Sequence, residues 1–304
     1  MTDPLRPISV RELLFRTFSL YRHHFMLFLG VSIIGPVALF AYRLRFGGGM
    51  GAIAGLHSSS TALPVVIGIL MGIMIMLAGV ATSSAAAVKA VAAINGGSEV
   101  RVAEGFRALA GRLWRILGIV ASVFIRAFPG GFLFVLAGIP GLALAAHLGY
   151  NAREEAKTIG YVCGGGSLAA ALFAGIWICA RYAVAVQACV VENISRKLSL
   201  RRSQFLIAGD RGRIVLLHFA FLILFLLTEF VLGAPALLLP THGATFRISE
   251  AVASLIAGAI AAPVATIGMS LVYFDERVRK ETYDSGAMTD AVEAPVEQAA
   301  DVRV

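Results

Sequence analysis

Six long apolar runs alternate with polar segments along the chain. They cover residues 25–42, 63–88, 116–148, 160–191, 214–239 and 251–274. A helix needs about 20 apolar residues to cross the hydrocarbon core of a bilayer, so the pattern predicts six transmembrane helices. The third run is too long for one straight crossing, and we expect a kink or a helix end near Pro129 or Pro140.

The composition also indicates that lipid surrounds the protein. Apolar residues make up 58% of the 304 residues and charged residues only 14%, whereas soluble domains carry roughly 25% charged residues. So few charges cannot cover a water-exposed surface. We therefore expect an all-α integral membrane bundle. The cysteines, Cys163, Cys179 and Cys189, all lie in the fourth run without a metal-binding spacing, and we interpret them as small apolar side chains.

The distribution of basic residues predicts the orientation. With six crossings, one side of the membrane receives residues 1–24, 95–115, 192–213 and 275–304. These segments hold eighteen Arg and Lys residues, and the opposite loops hold five. The positive-inside rule places the basic side in the cytoplasm. The chain is thus predicted to be a multi-pass protein of a bacterial cytoplasmic (inner) membrane, with both termini in the cytoplasm. The high pI reflects this topology and not nucleic-acid binding.

The segment before the first apolar run predicts an amphipathic cytoplasmic helix, not a cleavable signal. Ser9 and Glu12 form a capping box. Arginines lie opposite the apolar face, and a second basic stretch follows residue 191. The helix either lies on anionic lipid headgroups or packs only on the bundle, and both alternatives stay open. The predicted membrane-surface basic residues are Arg11, Arg16, Arg22, Arg196, Lys197, Arg201 and Arg202.

The chain also contains a weak internal repeat. At an offset of 98 residues, "AVKAVAAINGG" (87–97) aligns with "AVQACVVENIS" (185–195), and "AGRLWRI" (110–116) with "AGDRGRI" (208–214). The repeat predicts a basic amphipathic segment followed by two membrane helices, three times over. The units are about 1–94, 95–191 and 192–282, within one transmembrane domain of residues 1–282. The acidic segment 283–304 is predicted to be a disordered cytoplasmic tail.

Three stretches carry a resemblance to a known family. They are "ISVRELLFRTFSLYRHHF" (8–25), "RYAVAVQACVVENISRKLSLRRS" (181–203) and "VYFDERVRKETYD" (272–284). Together they resemble bacterial multi-helix membrane proteins that include the membrane-integral domain of some glycerophosphoryl diester phosphodiesterases. The resemblance covers nearly the whole chain and implies a membrane topology without an agreed activity. The catalytic domain of those enzymes would bring a His-Arg-Gly start, which this sequence lacks, so the phosphodiesterase activity is not implied.

No hydrolytic, phosphate-loop or metal-binding motif is present, so neither an enzyme nor a cofactor nor a metal site is expected. Charged residues inside the apolar runs are the remaining candidates: Arg126 and Arg181, both expected near the bilayer midplane, and Glu229, expected somewhat deeper. Such charges are costly unless they pair or reach water. Either Glu229 pairs with one arginine and fixes the helices' rotation, or the three residues form a polar site for an anionic headgroup or solute. A third alternative is that Arg126, next to "PGG" at 129–131, lies at a helix break in a water-filled crevice.

The sixth run contains a stripe of small residues at i, i+4 spacing, formed by Ser254, Gly258, Ala262, Thr266 and Ser270. Such stripes allow helices to approach closely, and the partner helix is either in the same chain, in another membrane protein or in a second copy. The sequence thus favours a non-enzymatic membrane protein that organises or regulates partners at its basic cytoplasmic face. The alternative is a transporter or lipid-binding protein that uses Arg126, Arg181 and Glu229.

Overall fold

A computed structural model describes residues 8–46, 59–98, 101–107, 109, 111–147, 154–235 and 244–281. This part of the chain is helical, with no strand, and the all-α prediction is confirmed for it. The predicted tail 283–304 lies outside the described residues. The helices are α1 (Val10–His23), α2 (Phe25–Ser32), α3 (Ile34–Phe46), α4 (Ser59–Asn95), α5 (Val102–Arg107), α6 (Leu113–His147), α7 (Glu154–Ala180), α8 (Ala185–Val191), α9 (Arg196–Ile207), α10 (Arg211–Gly233) and α11 (Ala244–Glu281).

Within the described residues, four stretches are long and apolar enough to cross a membrane. They are Met71–Asn95, Val162–Val191, Arg211–Gly233 and Thr245–Glu281. A fifth crossing is added if α2 and α3, which meet at an angle of 45°, form one bent span. The chain is therefore a helical, membrane-embedded protein. The predicted third run falls on α6, a helix of 35 residues.

The bend between α2 and α3 follows from the local sequence. Pro36 lies in the first turn of α3, and its ring nitrogen cannot donate the backbone hydrogen bond that would continue α2. The side chain of Pro36 then packs on α11, where it lies 3.1 Å from the position that a Cβ on Gly258 would occupy. The first predicted crossing is consequently a bent pair of helices instead of one straight helix.

Helices α4 and α11 form the centre of the molecule. They contact each other, and each contacts α2 and α3. Small side chains explain the close packing of α4, because Ala81, Ala85, Ala86, Ala87, Ala90, Val91 and Ala92 are all buried. Apolar side chains on α7 and on the later turns of α10 are exposed instead, among them Phe173, Leu226 and Phe230. Such exposure is expected of side chains that face lipid.

Two predictions for the third and fourth runs are corrected by the helix boundaries. The helix end expected near Pro129 or Pro140 does not occur, because α6 continues through both residues. The alternative, a kink near either proline, stays a prediction. The fourth run is interrupted, because α7 ends at Ala180 and α8 begins at Ala185. The run therefore does not form a single straight helix to residue 191, and Cys189 lies on a different helix from Cys163 and Cys179.

The stripe of small residues on α11 packs inside the chain. Ser254 and Thr266 are buried, Gly258 receives Pro36, and the hydroxyl oxygens of Thr266 and Ser32 lie 3.5 Å apart. The helices facing the stripe are thus α2 and α3 of the same chain. A membrane-protein partner or a second copy stays a prediction, but these side chains already have an intramolecular use.

Helices α3 and α4 cross closely at Gly35 and Gly79. A Cβ on Gly79 would overlap Cα of Gly35, which is backbone and cannot rotate away. We expect Gly79→Ala to lower the free energy of unfolding by about 1–3 kcal/mol, as overpacking does. The matched control is Gly175→Ala on α7, where a Cβ meets nothing within 4 Å. Thermal unfolding in detergent should show a lower Tm for Gly79→Ala only, and equal Tm values would contradict the close crossing.

Candidate functional site

The charged residues at the end of α11 form a buried network with the start of α10. The guanidinium of Arg213 lies 2.5 Å from Oδ2 of Asp275 and 3.0 Å from Oε1 of Glu276. The side chain of Asp275 is 1% exposed and that of Glu276 is 0% exposed. Arg279, one turn after Asp275, also pairs with Oδ2 of that residue at 3.0 Å. Two carboxylates are therefore held inside the protein by two arginines.

The backbone of Ile8, just before α1, is fixed by the same network. Its N–H donates to Oδ1 of Asp275 at 2.9 Å. Its carbonyl accepts from Nη2 of Arg279 at 2.6 Å and from Nη2 of Arg213 at 3.2 Å. The start of the first helix is thus tied to the end of the last one. The adjacent cap was predicted correctly, because Oγ of Ser9 accepts a hydrogen bond from the N–H of Glu12 at 3.2 Å.

A second cluster continues the network towards α9. Glu192, in the segment between α8 and α9, accepts hydrogen bonds from Nε of Arg202 at 2.9 Å and from the hydroxyl of Tyr273 at 2.9 Å. Arg202 also forms an ion pair with Glu281, and Arg277 pairs with the same carboxylate at 3.1 Å. The end of α11 is therefore joined to both neighbours of residue 192, α8 and α9.

Arg202 has internal partners that the sequence did not reveal. The residue was expected on the membrane surface, but its guanidinium is engaged by two carboxylates. Burial lowers the pKa of Arg202. The hydrogen bond and charge of Glu192, together with the charge of Glu281, raise this pKa by a larger amount, so the net shift is upward. The guanidinium stays charged and serves as an internal cross-link.

Sequence reasoning missed this network. Asp275 and Glu276 follow directly after the apolar run 251–274, and this position could have marked them as residues that need buried partners. The acidic Glu192 was likewise counted only as part of a basic stretch. The network joins Ile8, Glu192, Arg202 and Tyr273, which lie in the three stretches that carry the family resemblance.

The structure separates Glu229 from both predicted arginine partners. No ion pair joins Glu229 to Arg126 or Arg181 among the described residues. The carboxylate instead accepts a hydrogen bond from Oγ of Ser254 at 2.7 Å and lies within electrostatic reach of Glu250. Glu229 is 18 residues beyond Arg211 on α10, or roughly 27 Å along the helix axis. The interpretation in which Glu229 pairs with an arginine is therefore wrong.

Arg181 lies at the break between α7 and α8, close to α9. Its backbone carbonyl accepts a hydrogen bond from Oγ of Ser203 at 3.2 Å. Oγ of Ser203 in turn accepts a hydrogen bond from the N–H of Val184 at 3.3 Å. Residues 181–184 form a turn between the two helices, and Val162–Val191 as a whole still has the length and apolar composition of one span. Nε of Arg181 is buried without a hydrogen-bond partner in the part of the chain that the structure describes.

Arg126 approaches the same break from α6. Its guanidinium lies 5.6 Å from the ring centroid of Tyr182, and Nη1 donates to the carbonyl of Ser122 at 2.7 Å. The side chain therefore points towards the start of α6, the direction in which helical side chains lean. Arg126, one of the three predicted intramembrane residues, thus lies over the ring of Tyr182, which follows Arg181 in the chain.

The first helix uses two faces. Leu13 and Thr17 are buried, and α1 packs on α11 and α2, so packing on the bundle is confirmed. Phe15 is 75% exposed and Phe18 is also exposed, on the same side as Arg11 and Arg22 by helical spacing. Contact with anionic lipid headgroups stays a prediction, and it concerns this outer face. Arg16 pairs with Glu12 at 3.2 Å.

Helix α9 has one basic and apolar exposed face. Lys197 and Arg201 are exposed, and so are Leu198 and Phe205. Their positions fall within about 100° of one another around the helix. The opposite face is buried through Leu206 and other side chains, so α9 is held firmly while this face remains open.

The part of the chain that the structure describes contains no group of three or more His, Cys, Asp or Glu residues able to hold a metal ion. Its carboxylates in the network are already engaged by arginines. This pairing is the arrangement of a structural cross-link. No family model, no curated protein and no solved structure matches the chain.

Proposed function

We propose that the chain crosses a bacterial cytoplasmic membrane six times, with both termini and the charged network in the cytoplasm. The basic asymmetry of the loops supports this orientation. Helix α6, with 35 residues, is about 52 Å long and has the length for the sixth crossing. We further propose that the protein has the topology of the multi-helix membrane family that its sequence resembles.

The order of the helices supports a threefold repeat. A short helix precedes two long segments in each third of the chain. In the first third, α1 precedes the α2–α3 pair and then α4. In the second, α5 precedes α6 and α7, and in the last, α9 precedes α10 and α11. This order matches the units about 1–94, 95–191 and 192–282. We propose that the short helices all lie at the cytoplasmic side, where the network ties two of them to α11.

The proposed role is that of a non-enzymatic platform that organises or regulates partners at the cytoplasmic face. One observation carries it: the exposed face of α9 presents Lys197 and Arg201 beside Leu198 and Phe205, on a base fixed by ion pairs. Exposed apolar side chains next to free positive charges are typical of a docking surface for an acidic, amphipathic protein segment. No cofactor is required for this role.

The role can be tested by photo-crosslinking in living cells. A photo-reactive phenylalanine analogue in place of Lys197 should give a discrete protein adduct, because the α9 face contacts a partner. The same analogue at Leu226, which is exposed on α10, should give none. The adduct should disappear when Arg201→Glu is added. Adducts to lipid alone, or a protein adduct that survives Arg201→Glu, would contradict the platform.

A second candidate is the handling of an anionic solute or lipid. It is favoured by the guanidinium of Arg126 over the ring of Tyr182, next to Arg181 in the chain, and by Nε of Arg181, which is buried and unpartnered within the described residues. Glu229 takes no part in this candidate. Lipid-only adducts in the crosslinking experiment would favour it over the platform.

A further inference from the structure

A second group of arginines converges where α6 begins. Arg112 donates from Nη1 to the carbonyl of Val190 at 3.3 Å. Arg115 donates from Nη1 to Oδ1 of Asn193 at 3.4 Å and to the carbonyl of Ile194 at 3.3 Å. These bonds hold the segment after α8 against α6.

A third arginine joins them from the first turn of α9. Cδ of Arg196 lies 3.1 Å and Nη1 lies 3.5 Å from the position that a Cβ on Gly118 would occupy. Gly118 is three residues after Arg115, so both lie on one face of α6. The side chain of Arg196 thus packs on α6 at Gly118, where the absence of a Cβ leaves room for it.

No carboxylate neutralises this group in the part of the chain that the structure describes. Glu192 is the nearest acid in sequence, but Arg202 and Tyr273 hold its carboxylate. Lys89 adds a positive charge close enough to Arg112 for the two to repel each other. Like charges at short range raise the free energy unless an anion lies between them.

The neighbouring side chains indicate the source of that anion. Trp114, between Arg112 and Arg115, is 85% exposed, and Leu113 is also exposed. Tryptophan is enriched at the membrane–water interface, and the apolar run of α6 begins two residues later, at Ile116. Basic pockets between membrane helices on the cytoplasmic side bind phosphate-containing lipid headgroups.

We propose that Arg112, Arg115 and Arg196 form a binding site for the phosphate of an anionic phospholipid headgroup, with Trp114 packing against the lipid. Guanidinium groups suit this ligand because they form paired hydrogen bonds to phosphate oxygens. The site rests on the proposed orientation, which places the start of α6 at the cytoplasmic leaflet. It adds a specific lipid to the platform and does not use the exposed face of α9.

The test measures phosphatidylglycerol bound to the purified chain in neutral detergent by native mass spectrometry, with phosphatidylcholine in a parallel arm. Arg112 and Arg115 also hold the backbone, so Arg196→Gln is the main variant. It should weaken phosphatidylglycerol binding about five-fold, the effect of about one basic residue at a membrane surface. Gly118→Leu keeps every charge but fills the space that the side chain of Arg196 occupies, and it should weaken phosphatidylglycerol binding by a similar factor. The control Arg201→Gln, exposed on the other side of α9, should change it less than two-fold.

Three outcomes would overturn the proposal. Equal losses for Arg196→Gln and Arg201→Gln would show non-specific attraction to net charge. Phosphatidylcholine bound as well as phosphatidylglycerol would show that the negative charge is not recognised. Displacement of the lipid by inorganic phosphate at similar affinity would assign the site to a soluble anion. None of these results depends on the topology, whose failure would be seen separately by labelling Lys197→Cys from outside the cell.

Discussion

Arg213→Gln is expected to destabilise the protein more than any other single charge change. The substitution leaves Asp275 and Glu276 buried without their main cation, since their side chains are 1% and 0% exposed. Loss of one partner of a buried ion pair costs about 3–5 kcal/mol. Arg213 also donates to the carbonyl of Ile8, so the start of α1 should loosen. Thermal unfolding in detergent should show a markedly lower Tm.

A matched control and a rescue separate this effect from a general loss of charge. Arg201→Gln removes a positive charge from an exposed position on α9 and should change stability by at most about 0.5 kcal/mol. Adding Glu276→Gln to Arg213→Gln removes one stranded carboxylate and should recover part of the lost stability. If Arg213→Gln unfolded at the Tm of the Arg201→Gln control, the network would not be a structural cross-link.

The helices could be predicted because their physical cause is local. Apolar runs of membrane-spanning length and the capping box at Ser9 depend only on neighbouring residues, and they predicted the helical class and the start of α1. Exceptions within the runs have a different cause. The bend at Pro36 is stabilised by its contact with Gly258 on α11, and the break after Ala180 by Ser203 on α9. Sequence periodicity contains no information about such distant contacts.

Charge pairing was the weakest part of the prediction. The depth of Arg181 was predicted from an uninterrupted helix, whereas α7 ends one residue before it. Glu229 found a hydroxyl partner on α11 in place of an arginine. Counting basic residues predicts an orientation, but it could not show that Arg202 and Arg213 pair with internal carboxylates while Lys197 and Arg201 remain exposed.

The network and the proposed lipid site lie at the same end of the molecule and have opposite electrostatic character. In the first, arginines and carboxylates neutralise each other inside the protein. In the second, Arg112, Arg115 and Arg196 have no carboxylate partner among the described residues. This difference explains why we assign a structural role to the network and a binding role to the second group.

The orientation in the membrane is the claim on which both proposals depend. It is tested by single cysteines at Ser59, Lys197 and Ser285 in a background without Cys163, Cys179 and Cys189, labelled in intact cells with a membrane-impermeant maleimide. The account predicts that only Ser59→Cys is labelled before the membrane is permeabilised, and that Lys197→Cys and Ser285→Cys are labelled only afterwards. Labelling of Lys197→Cys or Ser285→Cys in intact cells, on the same side as Ser59→Cys, would contradict the six-crossing topology and its cytoplasmic network.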